Sequence, residues 1–221
     1  LGYDYYDDYV AASSRFEDAR GNPVESRDNQ AVLAQYQGEW RDFSLVTGIR
    51  RDDNEAFGKH TTGDVSLGYS LNADHRAVVS WSEGFKAPTF NDLYWPRGAF
   101  NAGNPDLVPE TSENYEASVR GSYERWHWSA NYYDNTVKNL IEWAPGSDGI
   151  WRPTNVSNAE IEGAELIAGA TLAGWRLEGS LNYVDPRNAS QGTVLVNRAR
   201  KTAQLSVDRQ FNRWSWGMTF K

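Results

Sequence analysis

Apolar and polar residues alternate along most of the chain with a period of two, which is the pattern of β-strands. In one such stretch, Tyr115, Val119 and Tyr123 fall on one face, and Glu116 and Arg120 fall on the other. A strand with this pattern has one apolar face and one polar face. The same alternation is found at 175–184 and 214–220. The chain is therefore predicted to be all-β.

The pattern predicts eleven strands whose connections alternate between short turns and longer loops. The strands are expected at 1–12, 29–40, 42–54, 60–72, 75–87, 112–124, 126–143, 150–172, 175–187, 197–211 and 213–221. The longer loops fall at 13–28, 55–59, 88–111, 144–149 and 188–196. This is an up-and-down antiparallel meander with its short turns at one end, and transmembrane β-barrels have the same asymmetry.

Aromatic residues make up 14% of the chain and include 10 Trp and 12 Tyr. Many lie at the end with short turns, where we expect a girdle at a membrane interface. These residues are Trp40, Tyr123, Trp126, Trp128, Trp175, Trp214 and Trp216. The alternative is a soluble sandwich whose core holds these rings. The predicted strands are long for a sandwich, so the pattern favours a membrane barrel.

Hydropathy and charge narrow the class of protein further. The mean hydropathy is −0.70, which suits barrel strands because they are apolar only at alternate positions. The net charge of −8 argues against nucleic acid as a partner, since that needs a basic face. The chain has no Cys, which excludes disulfides and thiolate metal sites.

The loop at 88–111 is the main candidate for a binding function. Loops of this length are functional or disordered. It carries Tyr94, Trp95 and Phe100, and aromatic side chains of this kind grip large, partly apolar ligands. The other interpretation is that these rings pack locally and fold the loop over the rim of the sheet. Both interpretations stay open at this stage.

Two acidic segments are weaker candidates for a cation site. The first, at 3–9, is expected to be a strand with its Tyr side chains outward, because consecutive Asp residues on a strand point to opposite faces. The second, at 52–55, either binds a divalent cation that bridges lipopolysaccharide or forms a solvated loop tip, and we favour the loop tip. No resident cofactor or metal is expected in these residues.

Catalysis is not expected. His60, His75 and His127 are isolated in sequence, and no HExxH pair or GxSxG elbow is present. We interpret all three His side chains as structural. The charged residues of the polar strand faces are expected to face the lumen of a barrel; they include Arg120, Glu165, Arg176, Glu178 and Asp208.

Four motifs, in order along the chain, resemble the TonB-dependent outer-membrane transporters. They are SEGFKAPTFNDLY at 82–94, NPDLVPETSENYE at 104–116, NTVKNLI at 135–141 and NVSNAEIEGAE at 155–165. Within that family, the cobalamin (vitamin B12) receptors are the most similar group. The stretches that suggest this are RDDNEAFGKHTT at 51–62, YVDPRNA at 183–189 and LVNRARKT at 195–202.

The resemblance implies that residues 1–221 form part of the wall of a barrel of about 22 strands. It also implies a plug domain and a TonB box elsewhere in the protein. The chain begins without Met and ends within a strand pattern, so it is expected to be an internal fragment. The implied location is the outer membrane, in contact with lipid and lipopolysaccharide. The family's calcium-binding aspartates are expected in an earlier loop pair, so calcium is a ligand of the intact protein only.

The resemblance also implies a site for cobalamin or a related corrinoid. In the cobalamin receptors an extracellular Arg contacts the corrin, and the matching position here is Asn197, next to Arg198. Asn lacks the charge and reach of Arg, so either Arg198 replaces it or the ligand is held differently. A ferric siderophore, haem or another metal chelate is the alternative cargo. A passive porin, an outer-membrane enzyme and a soluble glycan-binding sandwich are the alternatives from other classes.

Overall fold

The computed structural model describes residues 1–10, 16–17, 24–155, 158–189, 192–195 and 199–221. Its elements are β1 Gly2–Tyr9, β2 Ser26–Trp40, β3 Phe43–Asn54, β4 Gly58–Ser70, β5 His75–Lys86, α1 Phe90–Tyr94, β6 Glu110–Ser122, β7 Trp126–Lys138, β8 Ile141–Pro145, β9 Trp151–Asn155, β10 Ala159–Leu172, β11 Trp175–Asn188, β12 Thr193–Val194, β13 Lys201–Phe211 and β14 Trp214–Phe220. Within these ranges, no helix has the length and apolar character needed to cross a bilayer.

The strands form one open antiparallel sheet in the order β1-β2-β3-β4-β5-β6-β7-β10-β11-β13-β14. Each strand of this path pairs with the next, so the predicted eleven-stranded meander is confirmed. The short strand β12 adds to β11, and β8 and β9 form a separate hairpin. The hairpin lies within the connection between β7 and β10, so it stands apart from the main sheet.

The predicted strands at 126–143 and 150–172 are wrong in extent. The first ends at Lys138, because Asn139 adopts a positive φ of 57° that an extended strand cannot contain. The second divides into β9 and β10. Both errors have the same cause. The alternating pattern of β7 continues into β8, and that of β9 continues into β10, so each pair was predicted as one strand.

Tight turns close one end of the sheet. Two-residue connections join β2 to β3, β10 to β11 and β13 to β14. Their first residues are Arg41, Ala173 and Asn212, which have positive φ values of 52°, 50° and 51°. Turns with positive φ match the twist of antiparallel strands. The predicted short-turn end is therefore confirmed at these three connections.

The apolar face of the sheet is uncovered across the described residues. Leu67, Val79, Leu181 and Leu205 are on four different strands of this face, and each is between 44% and 56% exposed. The described buried apolar side chains lie mostly in the loops and at the opposite end from the tight turns. A soluble sandwich buries this face against a second sheet, and the described chain contains no second sheet that covers it.

The predicted aromatic girdle is present at the short-turn end. Phe43 packs against Tyr69 with ring centroids 4.7 Å apart, and Tyr123 stacks on Trp126 at 4.0 Å. Near the β14 edge of the sheet, Trp175 meets Trp216 edge to face, with ring centroids 5.5 Å apart. These rings have an apolar body and a polar tip, which suits the boundary between hydrocarbon and water.

The polar face carries the residues predicted to face a lumen. The strand register places Arg120, Glu165, Arg176, Glu178 and Asp208 on this face. Arg176 lies directly opposite Asp208, with Nε 3.9 Å from Oδ1. The Asn131 amide donates to Glu165 across neighbouring strands at 3.3 Å. The alternation read from the sequence therefore assigned these side chains to the correct face.

A hydrogen-bonded network on the polar face lies near the loop end of β2 and β3. Asn29 is buried; its amide donates to Asp52 at 2.8 Å and its oxygen accepts from Asn54 at 3.2 Å. Asp52 also accepts from the Arg50 guanidinium at 2.9 Å. The interpretation of residues 52–55 as a solvated loop tip is therefore wrong for Asp52 and Asn54, which lie within β3.

Candidate functional site

Two long connections meet at the end of the sheet opposite the tight turns. One joins β5 to β6 and contains α1, and the other joins β7 to β10 and contains the β8–β9 hairpin. We call the described residues 87–109 and 139–155 of these connections the loop lobe. It includes three of the five candidate ligand residues, so its internal construction determines how they are presented.

Helix α1 begins with a capping box. Thr89 is the N-cap; its hydroxyl accepts from the Asp92 backbone N–H at 3.2 Å, while the Asp92 carboxylate accepts from the Thr89 N–H at 3.0 Å. The pair satisfies two backbone donors that a helix start leaves free. Leu93 is 4% exposed and anchors the helix. The prediction of a loop over the whole of 88–111 is wrong at Phe90–Tyr94, and the spacing of Thr89 and Asp92 is the signal that could have found the helix.

The β8–β9 hairpin is fixed by a bidentate ion pair at its turn. The Arg152 guanidinium donates to both Asp148 oxygens, at 2.9 and 2.8 Å. Asp148 also accepts from the Ile150 N–H at 3.1 Å. The hydrogen bonds from Arg152 hold the pKa of the Asp148 carboxyl well below its ordinary value, and Asp148 in turn raises the pKa of Arg152. The turn is thus charge-paired at neutral pH.

Backbone hydrogen bonds join the two connections into one unit. Asn101 and Trp151 form a parallel β-bridge, in which the Trp151 N–H donates to Phe100 O at 2.8 Å and the Ala102 N–H donates to Trp151 O at 3.0 Å. The Asn104 amide donates to Pro153 O at 3.0 Å. The connections are 49 residues apart at this contact, so the lobe is a tertiary structure and not two separate loops.

Asn155 joins the base of the lobe. Its side-chain oxygen accepts from the Val108 N–H at 2.9 Å, and its side-chain NH₂ donates to Val108 O at 2.9 Å and to Asn139 O at 2.7 Å. One Asn side chain thus uses its donors and acceptor as a backbone peptide would. The two connections of the loop lobe are therefore joined at two places, the Asn101–Trp151 bridge and the Asn155 side chain.

Gly103 allows the chain to pass directly over α1. A Cβ at this position would lie 2.5 Å from Trp95 N and 2.6 Å from Leu93 O, both of them backbone atoms. The Gly103 N–H donates to Trp95 O at 2.8 Å. No larger residue fits without moving one backbone segment away from the other. Gly103 therefore fixes the position of Trp95.

Arg27 attaches the loop lobe to the sheet. Its guanidinium donates to Pro88 O at 2.9 Å and to Asp8 at 3.2 Å. It also lies 5.0 Å from the Phe90 ring centroid and 5.8 Å from that of Phe57. Cation–π contacts of this kind add to hydrogen bonding when the guanidinium is shielded from water, and the Arg27 side chain is only 11% exposed.

The loop lobe encloses one side of an open cleft of about 440 Å³. Tyr94 and Trp95 line it, together with Arg97 and Arg152. Its size falls in the range of small-molecule sites. Phe100 is not part of the cleft lining; its side chain is 78% exposed, while its carbonyl forms the bridge to the hairpin. The structure thus brings two of the three predicted aromatic residues together.

The other two candidate ligand residues cannot be placed. Asn197 and Arg198 lie outside the described residues. The nearest described positions are Leu195, which is buried, and Ala199, which is exposed. Sequence reasoning also missed two cleft residues, Arg97 and Arg152, because a charged residue in a loop gives no signal of its own about which cavity it lines.

The weaker candidates have structural partners. Asp4 pairs with Arg50 and Asp8 pairs with Arg27, so the acidic start of the chain is held by cations of the sheet. Tyr6 is the exception to the expected outward Tyr pattern, since the register places it opposite Asn29 on the polar face. Among the described residues, no three His, Asp or Glu side chains are grouped so that they could hold a metal ion.

Each of the three His residues has its own contact. His60 stacks on Phe85 with ring centroids 3.9 Å apart. His75 Nε2 lies 2.8 Å from the Tyr123 hydroxyl, and His127 Nε2 lies 3.3 Å from a Glu on β11. These contacts agree with the structural interpretation of the His side chains.

The chain matches the family model described as TonB dependent receptor-like, beta-barrel, over residues 1–221. A curated relative named vitamin B12 transporter BtuB, from Photobacterium profundum, is 34% identical over 194 residues, which is 86% of this chain and 31% of the relative. The protein of the same name from Vibrio vulnificus is 37% identical over 188 residues, covering 83% of this chain and 30% of the relative. This chain thus spans about a third of the length of these relatives.

Solved structures with the same fold include receptors for other cargoes. The ferric enterobactin receptor PfeA of Pseudomonas aeruginosa, as a mutant in complex with enterobactin, matches with a TM-score of 0.77 at 22% identity, over 98% of this chain and 37% of that one. The siderophore receptor PirA from the same species gives 0.74 at 22% identity, over 89% of this chain and 37% of that one. The copper transporter OprC gives 0.73 at 18% identity, over 96% of this chain and 38% of that one.

At these identities the solved structures show the fold alone. The match to the family model extends over every residue of the chain. The chain therefore belongs to the TonB-dependent receptor β-barrel family, and its sheet is part of the wall of such a barrel.

Proposed function

We propose that this chain forms part of the wall and the extracellular loops of an outer-membrane transporter for cobalamin or a related corrinoid. The observation that carries the proposal is the 34% and 37% identity to two vitamin B12 transporters over most of the chain. The uncovered apolar face and the aromatic girdle support the location in a membrane, since both are features of lipid-facing barrel walls. The loop lobe then lies on the extracellular side, where barrels carry their longer loops.

The proposed mechanism is capture followed by energy-coupled release, without covalent chemistry. Tyr94 and Trp95 offer flat apolar surface to the corrin ring, and Phe100 extends from the outer edge of the lobe. Asn197 and Arg198 are proposed to add polar contacts. The plug and the TonB partner are proposed to come from the parts of the protein beyond this third of its length.

The alternative cargo is a ferric siderophore. The observation that favours it is the likeness of the fold to siderophore receptors, among them a receptor solved with enterobactin. That likeness is at 22% identity, whereas the likeness to the vitamin B12 transporters is at 34% and 37%. The described lining of the cleft contains no His, so nothing there favours haem.

The test is calorimetric binding of cyanocobalamin to the full-length protein in detergent, with ferric enterobactin as the control ligand. We expect tight cobalamin binding and no heat with the siderophore. Siderophore binding without cobalamin binding would overturn the proposed cargo while keeping the transporter class. Trp95→Ala is expected to weaken cobalamin binding about tenfold, because one buried aromatic contact is worth about 1–2 kcal/mol. Tyr36→Ala, at an exposed aromatic far from the loops, is the matched control.

A further inference from the structure

The cleft of the loop lobe contains two Arg side chains that differ in their partners. Arg152 lines the cleft with its charge already matched, because its guanidinium donates to both oxygens of Asp148. Arg97 lines the same cleft and is exposed, and no hydrogen bond or ion pair joins its side chain to another described residue. The cleft therefore offers one guanidinium whose donors are available to a ligand.

The backbone on both sides of Arg97 is held in place. Trp95 O accepts from the Gly103 N–H at 2.8 Å, and the Gly98 N–H donates to Asn101 O, also at 2.8 Å. A Pro follows Trp95, and the residue before a Pro is kept in an extended conformation; the ψ of Trp95 is 124°. The position of Arg97 is thus set before a ligand arrives, which lowers the cost of binding.

Glu17 is the acidic residue in the described lining of the cleft, and it is also exposed. Within the part of the chain that the structure describes, no ion pair joins Glu17 to either Arg of the cleft. A carboxylate accepts hydrogen bonds from neutral N–H groups such as those of carboxamides. Trp95 and Pro105 add apolar surface beside these charges. The lining therefore suits a ligand that has a broad apolar surface, carboxamide groups and an anionic group.

An anion of the phosphate type matches the exposed guanidinium. A guanidinium presents a planar fork of N–H donors, which binds two oxygens of one phosphate through charge-assisted hydrogen bonds. Cobalamin carries one phosphodiester, in the nucleotide loop below its corrin ring, and carboxamides around the ring. Cobinamide has the same ring but lacks the phosphodiester. The two corrinoids therefore differ in the group that Arg97 is suited to bind.

We propose that Arg97 is a specificity residue that binds the phosphodiester of complete cobalamins, while Trp95 contacts the corrin ring. This role rests on the proposed corrinoid cargo and adds to it a means of selecting complete cobalamins over corrinoids that lack the nucleotide. Arg152 contributes less to the selection, because its guanidinium is held by Asp148 through two hydrogen bonds.

The test is calorimetric binding of cyanocobalamin and of dicyanocobinamide to the full-length protein in detergent. Arg97→Gln removes the charge, and Arg97→Lys keeps the charge without the planar fork. Arg213→Gln is the matched control, since Arg213 is exposed in the tight turn between β13 and β14, at the other end of the sheet. Folding of each variant is checked by heat-dependent electrophoretic mobility.

We expect the parent protein to bind cobalamin about tenfold more tightly than cobinamide, since hydrogen bonding to a charged group contributes about this factor. Arg97→Gln is expected to lower cobalamin affinity about tenfold and to leave cobinamide affinity unchanged, so that the preference is lost. Arg97→Lys is expected to retain part of the preference, and Arg213→Gln is expected to retain all of it.

Two results would contradict the proposal in different ways. If both corrinoids bind and Arg97→Gln weakens them equally or not at all, the role of Arg97 is overturned while the corrinoid cargo stands. If the parent protein binds neither corrinoid, the cargo is overturned and the role of Arg97 with it.

Discussion

At the scale of single residues, Gly103 is the glycine of the loop lobe at which an added Cβ would meet the closest atoms. Its missing Cβ leaves room for the backbone of Leu93 and Trp95. We expect Gly103→Ala to destabilise the lobe by about 1–3 kcal/mol, because overpacking of a tight contact has this cost. The measurement is hydrogen exchange at the amides of 93–104 in the full-length protein. Gly98→Ala is the control, since a Cβ there meets only a flexible Asn side chain within 3.0 Å; equal loss in both variants would contradict the prediction.

The Asp148–Arg152 pair gives the hairpin a defined response to acid. Arg152 lowers the pKa of Asp148 from its ordinary value of 3.8. Because the folded-state pKa is depressed, the pair contributes its stability above the ordinary value and loses it only as the pH falls through the depressed value. We expect the amides of Gly149 and Ile150 to stay protected as the pH falls to about 4, and the Asp148→Asn variant to show weaker protection that does not change with pH. Loss of protection in the ordinary carboxyl range would refute this assignment.

Residue-scale features differ in how far the sequence reveals them. The capping box of α1 is local, so Thr89 and Asp92 indicate it through their spacing. Arg27 is different, because its partners Asp8, Phe57 and Pro88 are distant in the chain and nothing beside Arg27 identifies them. A sequence pattern predicts contacts that repeat with the period of an element, and single long-range contacts have no period.

At the scale of elements, α1 depends on its cap because five residues are too few for a stable helix on their own. We expect Thr89→Ala to destabilise the helix by about 1 kcal/mol, which is the usual contribution of an N-cap side chain. Hydrogen exchange at the Asp92 and Leu93 amides measures the effect. Asn91→Ala, an exposed position in the same helix, serves as the control and is expected to leave exchange unchanged.

The Arg27 guanidinium is one of the groups that attach the loop lobe to the sheet. We expect Arg27→Lys to loosen the lobe although the charge is kept, because Lys cannot reach Pro88 O and Asp8 together while stacking on Phe90. The loss is expected to be about 2 kcal/mol, the contribution of hydrogen bonds from a charged group. Limited proteolysis within 96–105 measures it. Arg51→Lys, an exposed position on β3, is the control; equal cleavage of the two variants would show that Arg27 does not hold the lobe.

Strand prediction succeeded where the alternation of faces is long and failed where an element is short. Strands β2 to β7 were predicted almost in full because each spans at least 12 residues. The hairpin strands β8 and β9 have five residues each, so their pattern merged with that of the neighbouring long strands. The turn at Asn139 separates β7 from β8, and the hydrophobic pattern does not show this break.

At the scale of the whole molecule, we expect an added charge to destabilise the protein much more on the apolar face of the sheet than on the polar face. Val79 on the apolar face is 55% exposed, and its neighbour Ser80 points to the polar face. We expect Val79→Arg to lower the free energy of unfolding in lipid vesicles by about 2–4 kcal/mol, as for a cation near the middle of a bilayer. Ser80→Arg is expected to have a much smaller effect. Similar losses for the two variants, measured by urea titration of the full-length protein, would argue against a lipid-facing apolar surface.

The composite construction of the loop lobe has a consequence for the exchange of specificity between receptors. Its two connections flank the β6–β7 hairpin, so both lie in the contiguous segment 87–155. A single recombination event that transfers this segment moves the cleft with all its internal hydrogen bonds. Transfer of either connection alone leaves Phe100, Val108 or Asn155 without its partner in the other. The two connections are therefore expected to be exchanged together. Chimeric receptors should be joined within β5 and within β10, so that both connections come from the same parent.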